Sequence, residues 1–203
     1  RHHRRLTPPP GSGWGRCRGP GHTGPMGKVL DQLDDRLIGW IGEQHVFFVA
    51  TAPTEGGHVN VSPKGHDTLR VLSPTSVAYL DLTGSGAETI AHTTQNGRIT
   101  IMLCAFDGPP LVLRLFGAGV AHPKGSDRYE ALIDRFPDLP GARAVVEVQL
   151  DRIQTSCGYS IPFMDYREER PTLVQWAARK GEDGLEEYWQ QKNARSIDGL
   201  PAL

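Results

Sequence analysis

Between residues 45 and 156 the chain alternates hydrophobic and polar positions, broken at intervals by turn-forming residues. Alternation with period two is the signature of strands that bury one face. "HVFFVATA" (45–52) is a β-rich run stopped by Pro53. "TEGG" (54–57) is a turn, and "HVNVS" (58–62) alternates again, so the two runs predict a hairpin. "SVAYLDL" (76–82) predicts a third strand. "RITIMLCAF" (98–106) and "PLVLRLFGAGVAH" (110–122) predict two longer ones joined through "DGPP" (107–110), and "ARAVVEVQLDRIQTS" (142–156) predicts the longest. Helical spacing is confined to the flanks and to two insertions. Leu30, Leu33, Leu37, Ile38 and Ile41 predict an amphipathic helix over 28–42. "SDRYEALIDRF" (126–136) predicts a helix stopped by Pro137, and "TLVQWAARK" (172–180) and "LEEYWQQKNARS" (185–196) predict two late helices.

About six strands, mostly consecutive, with hairpin-length connections favour antiparallel pairing over βαβ units. The expected class is mainly β (α+β): an antiparallel, partly closed barrel with peripheral helices. The 203 residues suffice for one domain with a real core. That domain is placed at 26–203. Residues 1–25 are basic, rich in Gly and Pro, and hold one leucine as their only aliphatic side chain. Such a stretch buries too little apolar surface to offset its ordering entropy and reads as a disordered extension, with Met26 a candidate start.

Charge and cysteine content narrow the function classes. A net charge of −1 gives no broad attraction to nucleic acid or to an anionic membrane surface. No apolar run is long enough to cross a bilayer. Cys17, Cys104 and Cys157 are far apart and form no CxxC pair, so neither a disulfide nor a zinc framework is indicated and a reduced, cytoplasmic setting is expected. His45, His58, His66, His92 and His122 are scattered without H-x-x-x-H spacing, and no metal site is assigned. His66-Asp67 reads either as a loop dipeptide or as an acid–base pair.

The most pointed stretch is "YLDLTGSGAETIAH" (79–92), where a strand meets a helix at Gly84-Ser85-Gly86. Ser85 and Glu88 have S-x-x-E spacing, a capping box with Ser85 as N-cap of a helix over 86–96 and Gly97 as its C-terminal glycine. Alternatively the free N–H groups and dipole of that helix end attract an anion, with glycines that let it approach the main chain. Neither G-x-G-x-x-G nor G-x-x-x-x-G-K-[ST] is present, because Thr89 stands where the third glycine of the dinucleotide pattern belongs. In "NVSPKG" (60–65), Lys64 projects past a proline-stiffened strand end, either as a solvated side chain or as a point charge for a phosphate. Arg114, in "LVLRLFG", reaches a ligand groove or pairs with a carboxylate such as Glu147. Cys157 reads as a buried thiol or as a thiol at a ligand's edge.

The order and spacing of "VNVSPKG", "VAYLDLTGSGAETIAH", "GRITIMLCAF" and "LVLRLFGAGVAH" resemble the pyridoxamine 5′-phosphate oxidase-like family of FMN-binding split β-barrels, over roughly residues 28–156. "TSCGYSIPFMDY" and "KNARSIDGLPAL" resemble a bacterial subgroup of flavin-nucleotide-binding proteins. The resemblance implies an antiparallel split β-barrel, a homodimer with FMN in a groove at its interface, and flavin-dependent oxidoreductase chemistry on a small-molecule substrate. It also implies site residues. Val61 and Ser62 lie on the strand facing the flavin ring, and Lys64 meets the phosphate. Tyr79 and Leu80 fall on the strand leading to the phosphate turn, Gly84, Ser85 and Gly86 form that turn, and Arg114 is a further candidate. The oxidase proper has Ser-Arg-Lys in the turn where this chain has Gly84-Ser85-Gly86. That difference leaves room for a relative's ligand, deazaflavin F420 or haem, and for a non-enzymatic binding protein. The oxidase's carboxy-terminal Arg and His have no counterpart here, so pyridoxamine phosphate itself is not the expected substrate.

Overall fold

The alternating run at 142–156 is the strand around which the sheet is organised. The computed structural model describes residues 27–203, so the reading of residues 1–25 and of Met26 lies outside the described residues. Among the described residues there are eight strands: β1 (Lys28–Leu30), β2 (Phe47–Thr51), β3 (Asn60–Lys64), β4 (Leu69–Ser73), β5 (Ser76–Leu82), β6 (Arg98–Cys104), β7 (Val112–Pro123) and β8 (Ala142–Ser156). The sheet order is β3-β2-β6-β7-β8-β5-β4, and each of its pairings is antiparallel. β7 runs along residues 144–156 of β8 on one side. On the other side β5 takes residues 142–149 of β8, and β1 takes Ile153–Thr155.

The sheet curls so that its inner face closes on itself. Phe47, Val49, Tyr79, Ile101, Leu115 and Val148, from five different strands, share one core, and Leu33, Leu37 and Ile41 plug its end. No ladder joins the two terminal strands β3 and β4. The molecule is therefore an antiparallel split β-barrel with peripheral helices. Helix α3 (Asp127–Ile133) covers the outer face of β5 and β8, where Tyr129, Leu132 and Phe136 pack on Ala78, Leu80 and Val145. Two covered faces explain why Val77–Asp81 and Ala142–Val146 are buried at every position. No helix of the described residues is long and apolar enough to cross a membrane.

Three local expectations need correction. Eight strands stand where six were expected, because β4 and β1 were not recognised. β4 is half-buried at every residue, so it carries no alternation to read. The first helix, α1, spans Asp35–Gly42 rather than 28–42. Its start is fixed by Asp34, whose carboxylate accepts the Leu37 N–H at 2.7 Å. Ahead of it, the ladder edge that β5 leaves open on β8 captures Lys28–Leu30 as a strand. The two late helices stand as expected on either side of a non-helical break at Gly181 (φ 67°, ψ 173°) within Thr172–Tyr188 (α4), and the second ends in a π-helical turn, Trp189–Asn193. Helix α2 spans Glu88–Asn96, not 86–96, and Ser85 does not cap it. Gly97 does terminate it in the left-handed region, with φ 71° and its N–H on Thr93 O.

Candidate functional site

The split leaves the end of β3, the end of β5 and the start of α2 facing one another. A cavity of about 490 Å³ opens there. Val61, Ser62 and Lys64 from β3 and Gly84, Ser85 and Gly86 from the β5–α2 junction all line it. These segments are some twenty residues apart in sequence, and the fold brings six of the nine predicted residues to one wall.

The junction is shaped for contact rather than for capping. Ala87 precedes the helix with no side-chain cap, and Ser85 is exposed with its hydroxyl uncommitted to the helix. Glu88 reaches back over Gly86 but makes no capping-box bond to the Ser85 N–H. Its carboxylate accepts the N–H of Ile197 at 3.1 Å. A Cβ built on Gly84 would enter open space, since no heavy atom lies within 4 Å of it. Gly84 has no left-handed backbone to demand glycine. An alanine at this position would therefore cost the fold little and would project into open space.

Behind this wall lies a charge cluster that the sequence reading did not identify. Asp81, at the end of β5, is 1 % exposed at its side chain. Lys64 Nζ donates to its Oδ1 at 2.8 Å, and Arg143 Nε donates to its Oδ2 at 2.7 Å. Burial pushes the Asp81 carboxyl up, but the two cations outweigh it and hold the pKa at about 2. Lys64, Asp81 and Arg143 together carry a net charge of +1; Lys64 and Arg143 both line the cavity, and so does the carboxylate of Glu88. Arg143 reaches this place through a bulge. Asp81 pairs with Ala144 and Leu82 with Ala142, so Arg143 is the extra residue of β8. Its Nη1 donates to Asn193 Oδ1 at 2.9 Å, and Asn193 Nδ2 donates to Gly84 O at 3.2 Å.

The carboxy-terminal segment thus closes one side of the cavity. Asn193 ties it to β8 and to the turn. Asp198 accepts the backbone N–H of His58 at 2.8 Å and lies 2.7 Å from His58 Nδ1, which holds the Asp198 carboxyl below its ordinary value. A second cavity of about 600 Å³ shares Lys64, Leu82 and Gly84 with the first. Its wall is more apolar, with Val46, Pro63, Leu80 and Leu173, and its mouth carries Tyr166, stacked on His45 at a ring separation of 3.6 Å.

The other three predicted residues lie elsewhere. Tyr79 is fully buried under the cluster, its ring 5.8 Å from Lys64 Nζ. Leu80 points to the opposite face and lines the second cavity. Arg114 sits on β7, donates to Ser156 Oγ at 3.1 Å and lines neither cavity. Glu147, its suggested partner, is held instead by Arg128 at 2.6 and 2.9 Å. Cys157 is a free, half-buried thiol that lines neither cavity. His66 and Asp67 do not act as a pair: His66 faces Glu169 at 3.7 Å, and Asp67 binds Arg70 at 2.8 Å.

The residues missed, Asp81, Arg143 and Asn193, had one signal. Asp81 and Arg143 are opposite charges set in the otherwise apolar runs "SVAYLDL" and "ARAVVEV". A charge in a strand buried on both faces must find a partner, and these two strands are neighbours.

No family model matches the chain. The chain is 41 % identical over 192 residues to the pyridoxamine 5′-phosphate oxidase family protein ustO of Aspergillus flavus, an alignment that covers 85 % of this chain and 76 % of that protein. Among solved structures, HupZ of Group A Streptococcus aligns with TM-score 0.47 and 23 % identity over 60 % of this chain and 91 % of its own. A pyridoxamine 5′-phosphate oxidase-like protein of Lactobacillus delbrueckii aligns with TM-score 0.48 and 17 % identity, over 61 % of this chain and 94 % of its own. Identity of that degree to ustO over most of both chains makes this protein a member of the pyridoxamine 5′-phosphate oxidase family.

Proposed function

We propose that this protein binds FMN in the cavity at the split and works as a flavin-dependent oxidoreductase on a small-molecule substrate other than pyridoxamine phosphate. One observation carries the reading: in a member of this family, Lys64, Ser85 and the Gly84–Gly86 main chain line one cavity beside a cluster of net charge +1. The donor set fits a phosphate monoester. An ammonium, a guanidinium and a free hydroxyl all donate, and Gly84 leaves space that a Cβ would fill. Lys64 would hold the phosphate. Val61 and Ser62 would lie along the flavin on β3, and the second cavity, which shares Lys64, Leu82 and Gly84 with the first, would take the substrate. Bound FMN would supply hydride acceptance and return, while the chain supplies binding, orientation and exclusion of water.

The assembly belongs to the same proposal. β3 is a terminal strand of the sheet, and Val59 and Val61 beside the cavity are 72 % and 60 % exposed. Apolar side chains on an open edge next to a ligand site suit a homodimer with the cofactor at its interface. Among the described residues, Cys104 and Cys157 are both free, which fits a reducing cytoplasm.

The test is an absorbance spectrum of the purified protein, with mass spectrometry of what heat releases. A flavin spectrum and the mass of FMN are expected. A deazaflavin or haem mass would keep the barrel and change the chemistry. A protein that carries no ligand and takes up neither FMN nor F420 overturns the reading. Turnover with a reduced nicotinamide and an electron acceptor then separates an enzyme from a binding protein.

Gly84→Ala separates ligand contact from folding. The added methyl meets nothing in the fold, so the melting temperature should stay within about 2 °C, the effect of a surface substitution. FMN affinity should fall several-fold, because overpacking a close contact costs about 1 kcal/mol or more. Unchanged titration would place the ligand away from this turn.

A further inference from the structure

Within the reading that the cavity takes FMN, the turn at Gly84-Ser85-Gly86 presents a difficulty: it contributes no cation. A dianionic phosphate held by Lys64 alone, itself tied to Asp81, would face little positive charge. We infer that Arg143 is the second phosphate-binding cation of this site, held in position by Asp81 and Asn193. The proposal rests on the FMN reading for the identity of the ligand, not for the presence of an anion site.

Four observations converge on Arg143. It lines the same cavity as Lys64 and the glycine turn. Its side chain is 4 % exposed, and a guanidinium is not sequestered in that way without function or full pairing. Its pairing is incomplete. Nε is taken by Asp81 and Nη1 by Asn193, whereas Nη2 has no hydrogen-bond partner among the described residues. Finally, the β-bulge places Arg143 off the regular ladder, as bulges do where a side chain is re-aimed.

The arrangement also explains why Asp81 lies between the two cations. Left alone, Lys64 and Arg143 would repel each other. Asp81 offers one oxygen to each and holds both heads toward the turn, with net charge +1. Asn193 spans Arg143 and Gly84 O, so it fixes the distance from the guanidinium to the turn. Asn193 is a positioning residue, fully buried and supplied by the carboxy-terminal segment. The acidic side chain on the cavity wall, Glu88, lies against Gly86 and accepts the Ile197 N–H, so the phosphate belongs on the Gly84 side of the turn, next to Lys64 and Arg143.

The test compares FMN with riboflavin, which lacks the phosphate, by fluorescence titration of the wild type, Arg143→Gln and Arg143→Lys. Arg143→Gln should weaken FMN about tenfold or more, the scale of a lost hydrogen bond to a charged group. It should leave riboflavin within about twofold, so the preference for FMN collapses. Arg143→Lys keeps the charge without the planar fork and should fall between the two. It also stands in should the glutamine variant fail to fold. Equal losses for FMN and riboflavin, or no loss for either, would make Arg143 a purely structural partner of Asp81 and overturn the proposal. Asn193→Ala should shift the same ratio in the same direction by a smaller factor. A wild type that binds no flavin at all sinks the FMN reading by itself. Inorganic phosphate then becomes the probe: protection against thermal unfolding that Arg143→Lys abolishes supports the anion site, and protection equal in both proteins overturns it.

Discussion

Asp81→Ala is expected to lower the unfolding free energy by about 3–5 kcal/mol, the cost of removing one partner from a buried ion cluster. The asymmetry of the cluster sets the size. Asp81 is the common anion of Lys64 and Arg143, so its loss leaves two unpaired cations, with side chains 19 % and 4 % exposed. Urea unfolding of the wild type and the variant measures the difference, and a loss below about 1 kcal/mol would show that water or other groups already neutralise the cations. The pH dependence follows from the same geometry. The folded pKa of Asp81, about 2, lies below the ordinary 3.8. A depressed carboxylate stabilises the fold above its unfolded pKa and loses that contribution as pH falls through the folded one. The contribution, about 2 kcal/mol, should therefore be intact above pH ~4 and disappear toward pH ~2. Asp81→Ala should flatten that part of the acid-unfolding profile, and a profile as steep as the wild type's would assign the acid limb to other carboxylates.

Lys64→Ala should weaken FMN by about 1.5–3 kcal/mol, roughly ten- to a hundredfold or slightly more. The fold should tolerate it far better than the loss of Asp81. With Lys64 gone, Asp81 keeps Arg143 at 2.7 Å, and the cluster becomes a neutral pair rather than a stranded charge. Lys64 also lies at the cavity wall rather than deep in the core, so truncation opens space to solvent instead of an interior void. The charge of the Lys64–Asp81–Arg143 cluster falls from +1 to zero, and the affinity that remains should depend less on ionic strength. Titration of flavin fluorescence at two salt concentrations checks both points. Unchanged FMN affinity in a folded Lys64→Ala protein would remove Lys64 from the phosphate site.

The comparison of these two variants shows why the site needs the fold. Lys64 was legible in the sequence as a cation at a stiffened strand end, and Gly84-Ser85-Gly86 as a turn before a helix. Neither stretch indicates that Asp81 stands behind both.

What the sequence determined by itself was local. The bounds of β5 and β8, 76–82 and 142–156, follow from alternation and from the turn residues beside them. The β2–β3 hairpin, the glycine end of α2 and the antiparallel character of the sheet follow in the same way. Periodicity and turn chemistry act between residues a few positions apart, so a linear reading captures them. Where two local signals compete, the tertiary structure chooses. Lys28–Leu30 has helical spacing with Leu33 and Leu37 but joins the open edge of β8. Ser85 and Glu88 have the spacing of a capping box, but Glu88 finds the Ile197 N–H 109 residues away. The charge cluster lies wholly beyond local reading. Arg143 meets Asp81 across 62 residues and Asn193 across 50, and the meeting depends on which strands are neighbours and on one extra residue in β8. Long-range ion pairs leave no periodic trace in a sequence. Their only sign is a charge in a strand that should have none, and only the folded chain supplies its partner.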